Sequence, residues 1–151
     1  MKIGELSQAA TTPVETIRYY EREGLLPAPQ RTQGNFRVYQ AAHLERLQFI
    51  RHCRSLDMSL DEVRVLLRFK DAPDENCGHV NALLDEHIGH VSQRIQELKS
   101  LEKHLKELRL RCSESRPAEQ CGILAGLSEA VSDHAAPAKE HSHLRHVHGR
   151  R

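Results

Sequence analysis

One stretch restricts this chain more than any other: residues 79–112 read as a single long helix with a cysteine close to each end. Leu84, Ile88, Val91, Ile95, Leu98, Leu105 and Cys112 follow one another in heptad steps, with polar Glu102 between the last leucines. Leu101 and Leu108 widen this seam into a stripe. After Gly89 neither Gly nor Pro interrupts it, and no other segment of the chain is long enough to partner it. An apolar stripe of this length has to be buried, and a second copy of the same helix is the simplest cover. The sequence therefore predicts a homodimer built on an antiparallel coiled coil.

Direction decides what the cysteines can do. A straight helix holds Cys77 and Cys112 about 50 Å apart, so they cannot share an ion within one chain. In an antiparallel pair, Cys77 of one protomer meets Cys112 of the other. Cys121 returns to the same end through residues 113–120, where Arg116-Pro117 forces a loop. The expectation is three thiolates from two chains at each end of the dimer: Cys77 from the opposite protomer with Cys112 and Cys121. Each is read alone as a free thiol; their placement only at the converging ends favours a site. Cys53, on an apolar helix, is expected in the core and outside the metal set.

The length of 151 residues allows one small domain plus an extended element. No apolar run approaches a membrane span, and the N-terminus has no signal-peptide core, so a cytoplasmic protein with reduced thiols and no membrane partner is expected. Net charge is only +1, but residues 1–70 carry 11 Lys+Arg against 8 Asp+Glu, whereas residues 71–112 carry 6 against 8. The small positive excess lies where a nucleic-acid-binding head would be.

That head reads as follows. Residues 3–10 form a short helix with Ile3 and Leu6 inward. Thr12-Pro13-Val14-Glu15 starts a second, with Thr12 as cap, Pro13 at the first helical position and Glu15 completing a capping box; it stops at Gly24. Arg31 to Tyr39 reads as a hairpin, or wing, turning at Gln33-Gly34-Asn35. Alternation places Phe36 and Val38 inward and Arg37 and Tyr39 outward. A third helix spans about 41–55, with Leu44, Leu47, Phe49 and Ile50 inward. Ser59-Leu60-Asp61-Glu62 is a capping box opening a fourth. Beyond Cys121, Ile123, Leu124, Leu127 and Val131 predict a short helix folding back on the coil. The tail from Asp133 carries five of the eleven histidines and is expected to be disordered unless metal orders it.

The fold class is thus mainly α: a winged helix-turn-helix domain (1–70), a linker (71–78), a dimerisation helix (79–112), a metal-binding loop and short helix (113–132), and a flexible His-rich tail (133–151). Thr16-Ile17-Arg18-Tyr19-Tyr20-Glu21, Gly24-Leu25-Leu26-Pro27, Arg37-Val38-Tyr39 and Leu56-Asp57-Met58-Ser59-Leu60-Asp61-Glu62-Val63 resemble the MerR family of transcriptional regulators. Residues 74–78 and 83–88 are similar to its cadmium- and lead-responsive members, CadR and PbrR. The spacing of Cys112 to Cys121 is closer to the lead regulators, and Glu140-His141-Ser142-His143 to the cadmium regulators. The resemblance implies a dimer on an over-long promoter spacer that distorts the DNA when an inducer binds, so that RNA polymerase engages.

It also implies DNA contacts from Thr16, Arg18, Tyr19 and Tyr20 on the second helix, although Tyr20 can equally pack inward. Arg31, Asn35, Arg37 and Tyr39 of the wing complete the set, the arginines suiting phosphate. Three thiolates are soft donors leaving a site of net −1, which suits Pb(II) or Hg(II); Cd(II) calls for a fourth ligand, and structural Zn(II) prefers four protein ligands. His87 and His90 share a helix face and are either solvated or chelating. The resemblance implies a second site in which His141, His143, His146 and His148 join them. The rival expectation is a metal-buffering protein that needs no DNA-binding head. No nucleophile–base constellation appears, so an enzyme is not expected.

Overall fold

The computed structural model describes residues 1–129, and they fall into two compact units, one from Met1 to Val80 and one from Asn81 onward. The histidines at 134, 141, 143, 146 and 148, and Val131, lie outside the described residues.

The first unit opens with α1 (Ile3–Ala10), α2 (Val14–Arg22), a two-residue antiparallel ladder of β1 (Gln30–Arg31) and β2 (Arg37–Val38), α3 (Ala41–Ser55) and α4 (Leu60–Asp71). Each join has a local cause. The Lys2 backbone N–H donates to Glu5 at the start of α1, and Thr11 ends it in the left-handed region at φ 49°. Gly24 follows α2 at φ 73°, where a Cβ would be strained. Asp57 makes the left-handed turn between α3 and α4. The predicted capping box forms in full: Ser59 Oγ accepts from the Glu62 N–H and Glu62 Oε1 accepts from the Ser59 N–H, each at 3.0 Å.

The α2 start differs from expectation. Pro13, not Thr12, is the cap residue, and Glu15 completes no box. The Thr12 hydroxyl turns back to donate to the Ala10 carbonyl at 3.0 Å, inside a buried turn whose own carbonyl is taken by Ser7 Oγ. Turned toward Ala10, the hydroxyl oxygen accepts no hydrogen bond from the first N–H groups of α2.

Leu6, Ile17, Leu25, Leu47, Ile50, Val63 and Leu67 form the centre of the core, joined by Cys53 and Met58. Each fully buried aliphatic contributes roughly 1.5–3 kcal/mol by leaving water. Polar struts frame this small core. Arg46 donates to the Leu25 carbonyl at 2.6 Å and to both oxygens of Asp71, at 2.8 and 3.0 Å. Arg64 pairs with Glu23 at 2.7 Å and Asp61 at 2.8 Å.

The long helix is α5 (Gly78–Leu110), two residues shorter at its C-terminus than expected. Asn76 Oδ1 accepts from the Gly78 N–H at 2.7 Å, and the His79 ring stacks on Phe69. From Asn81 onward most of the helix is exposed, including the predicted stripe at Leu84, Ile88, Val91, Ile95, Leu98, Leu101 and Leu105, whereas Leu108 and Cys112 at its end are half-buried. After α5 come a 3-10 turn (Ala118–Gln120) and α6 (Gly122–Leu127), which lies against the last turn of α5. Among the described residues, no helix is long and apolar enough to cross a membrane.

Candidate functional site

Two sets of chemistry-bearing side chains stand out, one in each unit. In the first, α2 presents Arg18 and Tyr19 to solvent, with Thr16 and Tyr20 half-buried. Arg18 reaches Glu15 at 3.5 Å, but both side chains are well exposed, so the pair is weak and the guanidinium can exchange its partner. The Arg22 guanidinium sits 6.0 Å from the Tyr19 ring centroid. Tyr20 packs against the core, and its burial pushes the phenol above its usual range.

The wing gives the second part of this surface. Asn35 takes φ 64°, and its side-chain and backbone oxygens accept from Arg31 Nη1 at 2.8 and 3.4 Å. Arg31, Asn35 and Arg37 are all exposed. The inward–outward assignment of the aromatics is corrected. Phe36 is 73% exposed, whereas Tyr39 is 1% exposed and belongs to the core. The ladder ends at Val38, so strict alternation does not extend to Tyr39, which turns under α3 and meets His43 edge-on. Tyr39 therefore leaves the set of DNA-contact candidates. Its hydroxyl donates to Glu21 Oε1 at 2.5 Å, and burial together with that carboxylate pushes its pKa up to about 12.

In the second unit, Cys112 and Cys121 come together. Cys112 follows α5, where Arg109 Nη1 donates to its carbonyl at 2.7 Å and its own thiol donates to the Glu114 carbonyl at 3.2 Å. Cys121 precedes α6. The Leu124 N–H at that helix start holds its thiol below the usual range, aided by the Ile123 N–H, the Cys112 side chain and the Arg116 charge. Helix N–H groups and an arginine favour thiolate, the form that ligates a soft cation. The donor chemistry thus suits such an ion, but supplies only two thiols: among the described residues no group of three His, Cys, Asp or Glu is placed to hold a metal. Cys77 is exposed ahead of α5 in the first unit. Cys53 is buried, as expected, and burial pushes its thiol up, away from ligation.

His87 is buried on α5, whereas His90 is exposed with Nε2 3.9 Å from Glu86. Sequence reasoning missed Arg46, Arg64 and His43. His43 Nδ1 accepts the Gln40 N–H at 3.0 Å at the start of α3. A histidine three residues into a helix carries little capping signal, and the arginine partners lie far away in sequence.

Two family models match the chain: "MerR HTH family regulatory protein" over residues 1–70 and "MerR, DNA binding" over residues 44–108. The HTH-type transcriptional regulator ZntR homolog of Haemophilus influenzae is 51% identical over 109 residues, covering 72% of this chain and 81% of the relative. The chain belongs to the MerR family. Its members matched here are transcriptional regulators and not enzymes. The family's solved structures carry the fold match. PbrR691 of Ralstonia metallidurans CH34, solved in complex with lead(II), superposes with a TM-score of 0.78 at 52% identity, covering 85% of this chain and 99% of that one. MerR of Bacillus megaterium MB1, solved in complex with mercury(II), gives 0.66 at 28% identity, covering 85% and 100%. The mainly helical, winged architecture expected from the sequence is the MerR-family fold.

Proposed function

We propose that this MerR-family protein is a cytoplasmic metal sensor that binds promoter DNA as a homodimer and activates resistance genes on binding Cd(II) or Pb(II). The observation that carries this reading is the meeting of Cys112 and Cys121 at the end of an exposed apolar helix, one soft donor short of a site. A second copy laid antiparallel along the stripe covers the leucines and brings its own Cys77 to the pair. The lead(II) complex of a relative 52% identical supports the choice of metal. Hg(II) or Zn(II) is the alternative inducer in the same site.

Arg18 and Tyr19 on α2 and Arg31, Asn35 and Arg37 on the wing make the DNA contacts, the wing arginines to phosphate. Thr16 and half-buried Tyr20 border that surface. Ligation ties one end of the coil to the head of the opposite protomer and alters the spacing of the two α2 helices. A regulator that stays bound while changing DNA shape lets RNA polymerase engage a spacer that is otherwise too long. To switch fully, metal must favour the activating state by about 5 kcal/mol, which soft thiolate ligation can supply. A second site joins His87 and His90 to His141, His143, His146 and His148.

A promoter-reporter titration with Cd, Pb, Zn and Hg, wild type beside Cys77→Ser, tests the reading. Induction by Cd or Pb that disappears in the variant is expected. Induction by Zn alone, or none lost in the variant, overturns the metal or the site. A purified protein that binds the metals but does not shift its promoter duplex would make it a buffer instead.

A further inference from the structure

Gly122 follows Cys121 directly and is the first residue of α6. Its φ lies outside the left-handed region, so conformational freedom does not explain a glycine there. Space does. A Cβ on Gly122 would stand 2.4 Å from the Arg111 carbonyl oxygen and 3.2 Å from the carbonyl carbon. The obstacle is backbone at the end of α5, one residue before Cys112, and backbone cannot swing aside as a side chain does. One turn on, a Cβ on Gly126 would meet Arg111 Nη1 at 2.4 Å and Leu108 Cδ1 at 3.0 Å. Those are side-chain ends, which can move. Both glycines lie on the α6 face turned to α5, and Arg111 also pairs with Glu129 at 3.3 Å.

We infer that Gly122 is a positioning residue for the thiol pair: only a residue without a side chain lets the start of α6 close on the Arg111 carbonyl, and that closure brings Cys121 to Cys112. It acts through the cysteines and touches no ligand. Any larger residue lifts the start of α6, and Cys121 is the residue immediately attached to it. The inference rests on the thiol-site reading above, and its test separates the two.

The full-length protein, as wild type, Gly122→Ala and Gly126→Ala, is treated without metal with dibromobimane, which fluoresces once two neighbouring thiols displace both bromides. Peptide mapping locates the bridge. Each protein is also titrated with Cd(II) alone, following thiolate-to-metal charge-transfer absorbance against a competing chelator. Gly122→Ala is expected to lose the Cys112–Cys121 bridge and about tenfold or more in Cd(II) affinity. Its helical content and promoter-duplex binding stay at wild type, which a general loss of structure would not allow. Gly126→Ala falls between, because only side chains must give way. Wild-type bridging and affinity in Gly122→Ala overturn the inference. Loss of helix throughout in Gly122→Ala would also overturn it, because the glycine would then hold the whole fold rather than place the thiol pair. A wild type that bridges but binds no Cd(II) removes the metal reading and leaves the positioning role of Gly122 to stand on the bridging result.

Discussion

Tyr39 donates its hydroxyl proton to the Glu21 carboxylate at 2.5 Å, so the end of the wing and the second helix are joined by one charge-assisted bond. The two elements proposed to face DNA therefore do not move independently. Tyr39→Phe keeps the ring and removes the bond, leaving Glu21 half-buried without it. A loss of about 1.5–3 kcal/mol in urea-unfolding stability is expected.

The burial of Tyr39, together with that bond, sets an alkaline limit. The folded-state pKa of Tyr39, at about 12, lies above the ordinary value of 10.0. Its stabilisation is fully present below the unfolded value and is lost as pH rises through the folded one. Wild type should therefore lose stability between about pH 10 and 12 with a steeper slope than Tyr39→Phe. Parallel slopes in denaturation series at those pH values would remove Tyr39 as the cause.

Asp71 works at the acid end. The hydrogen bonds from Arg46 hold its carboxyl below the usual range. Its contribution is present above the unfolded value of about 3.9 and is lost as pH falls through the lower folded value. Asp71→Asn should flatten the acid limb of the stability profile below about pH 4. Because Asp71 is mostly exposed, the change in slope is the readout rather than a large change at neutral pH.

Arg37 is an exposed wing cation with no role in the core. Arg37→Ala should weaken binding to promoter and random duplex alike, and make the log Kd against log salt slope shallower by about one unit. Undiminished affinity in a mobility-shift titration would take Arg37 out of the interface.

What the sequence made legible was local or periodic. The Ser59–Glu62 box, the seam from Leu84 to Leu105 and the burial of Cys53 each follow from residues a turn or two apart. Alternation failed at Phe36 and Tyr39 because the ladder is only two residues long on each side. The Thr12 cap failed because its side chain is turned back to donate to the Ala10 carbonyl two residues earlier, and its oxygen is not aimed at the N–H groups of α2. For the candidate site, the 112–121 spacing indicated a loop that returns to the helix end. It carried no sign that Gly122 must touch the Arg111 carbonyl, since a close approach of two helix ends is a fact of tertiary packing.

The cross-chain site makes the most demanding prediction. Cys77→Ser and Cys112→Ser should each abolish induction while leaving promoter binding intact. Co-expressed, they form a heterodimer in which both substitutions fall in the same end. At the other end, Cys77 of the Cys112→Ser chain meets intact Cys112 and Cys121 of the Cys77→Ser chain, so one complete site returns. With random pairing about half of the dimers are of this kind. Partial induction should then reappear in a reporter assay, with Cd(II) or Pb(II) binding in the purified mixture. A site built within one chain, or a parallel coil, restores nothing on co-expression, since neither arrangement reassembles three thiols. Recovery of binding without recovery of induction would retain the shared site and show that both ends must be loaded to switch the promoter.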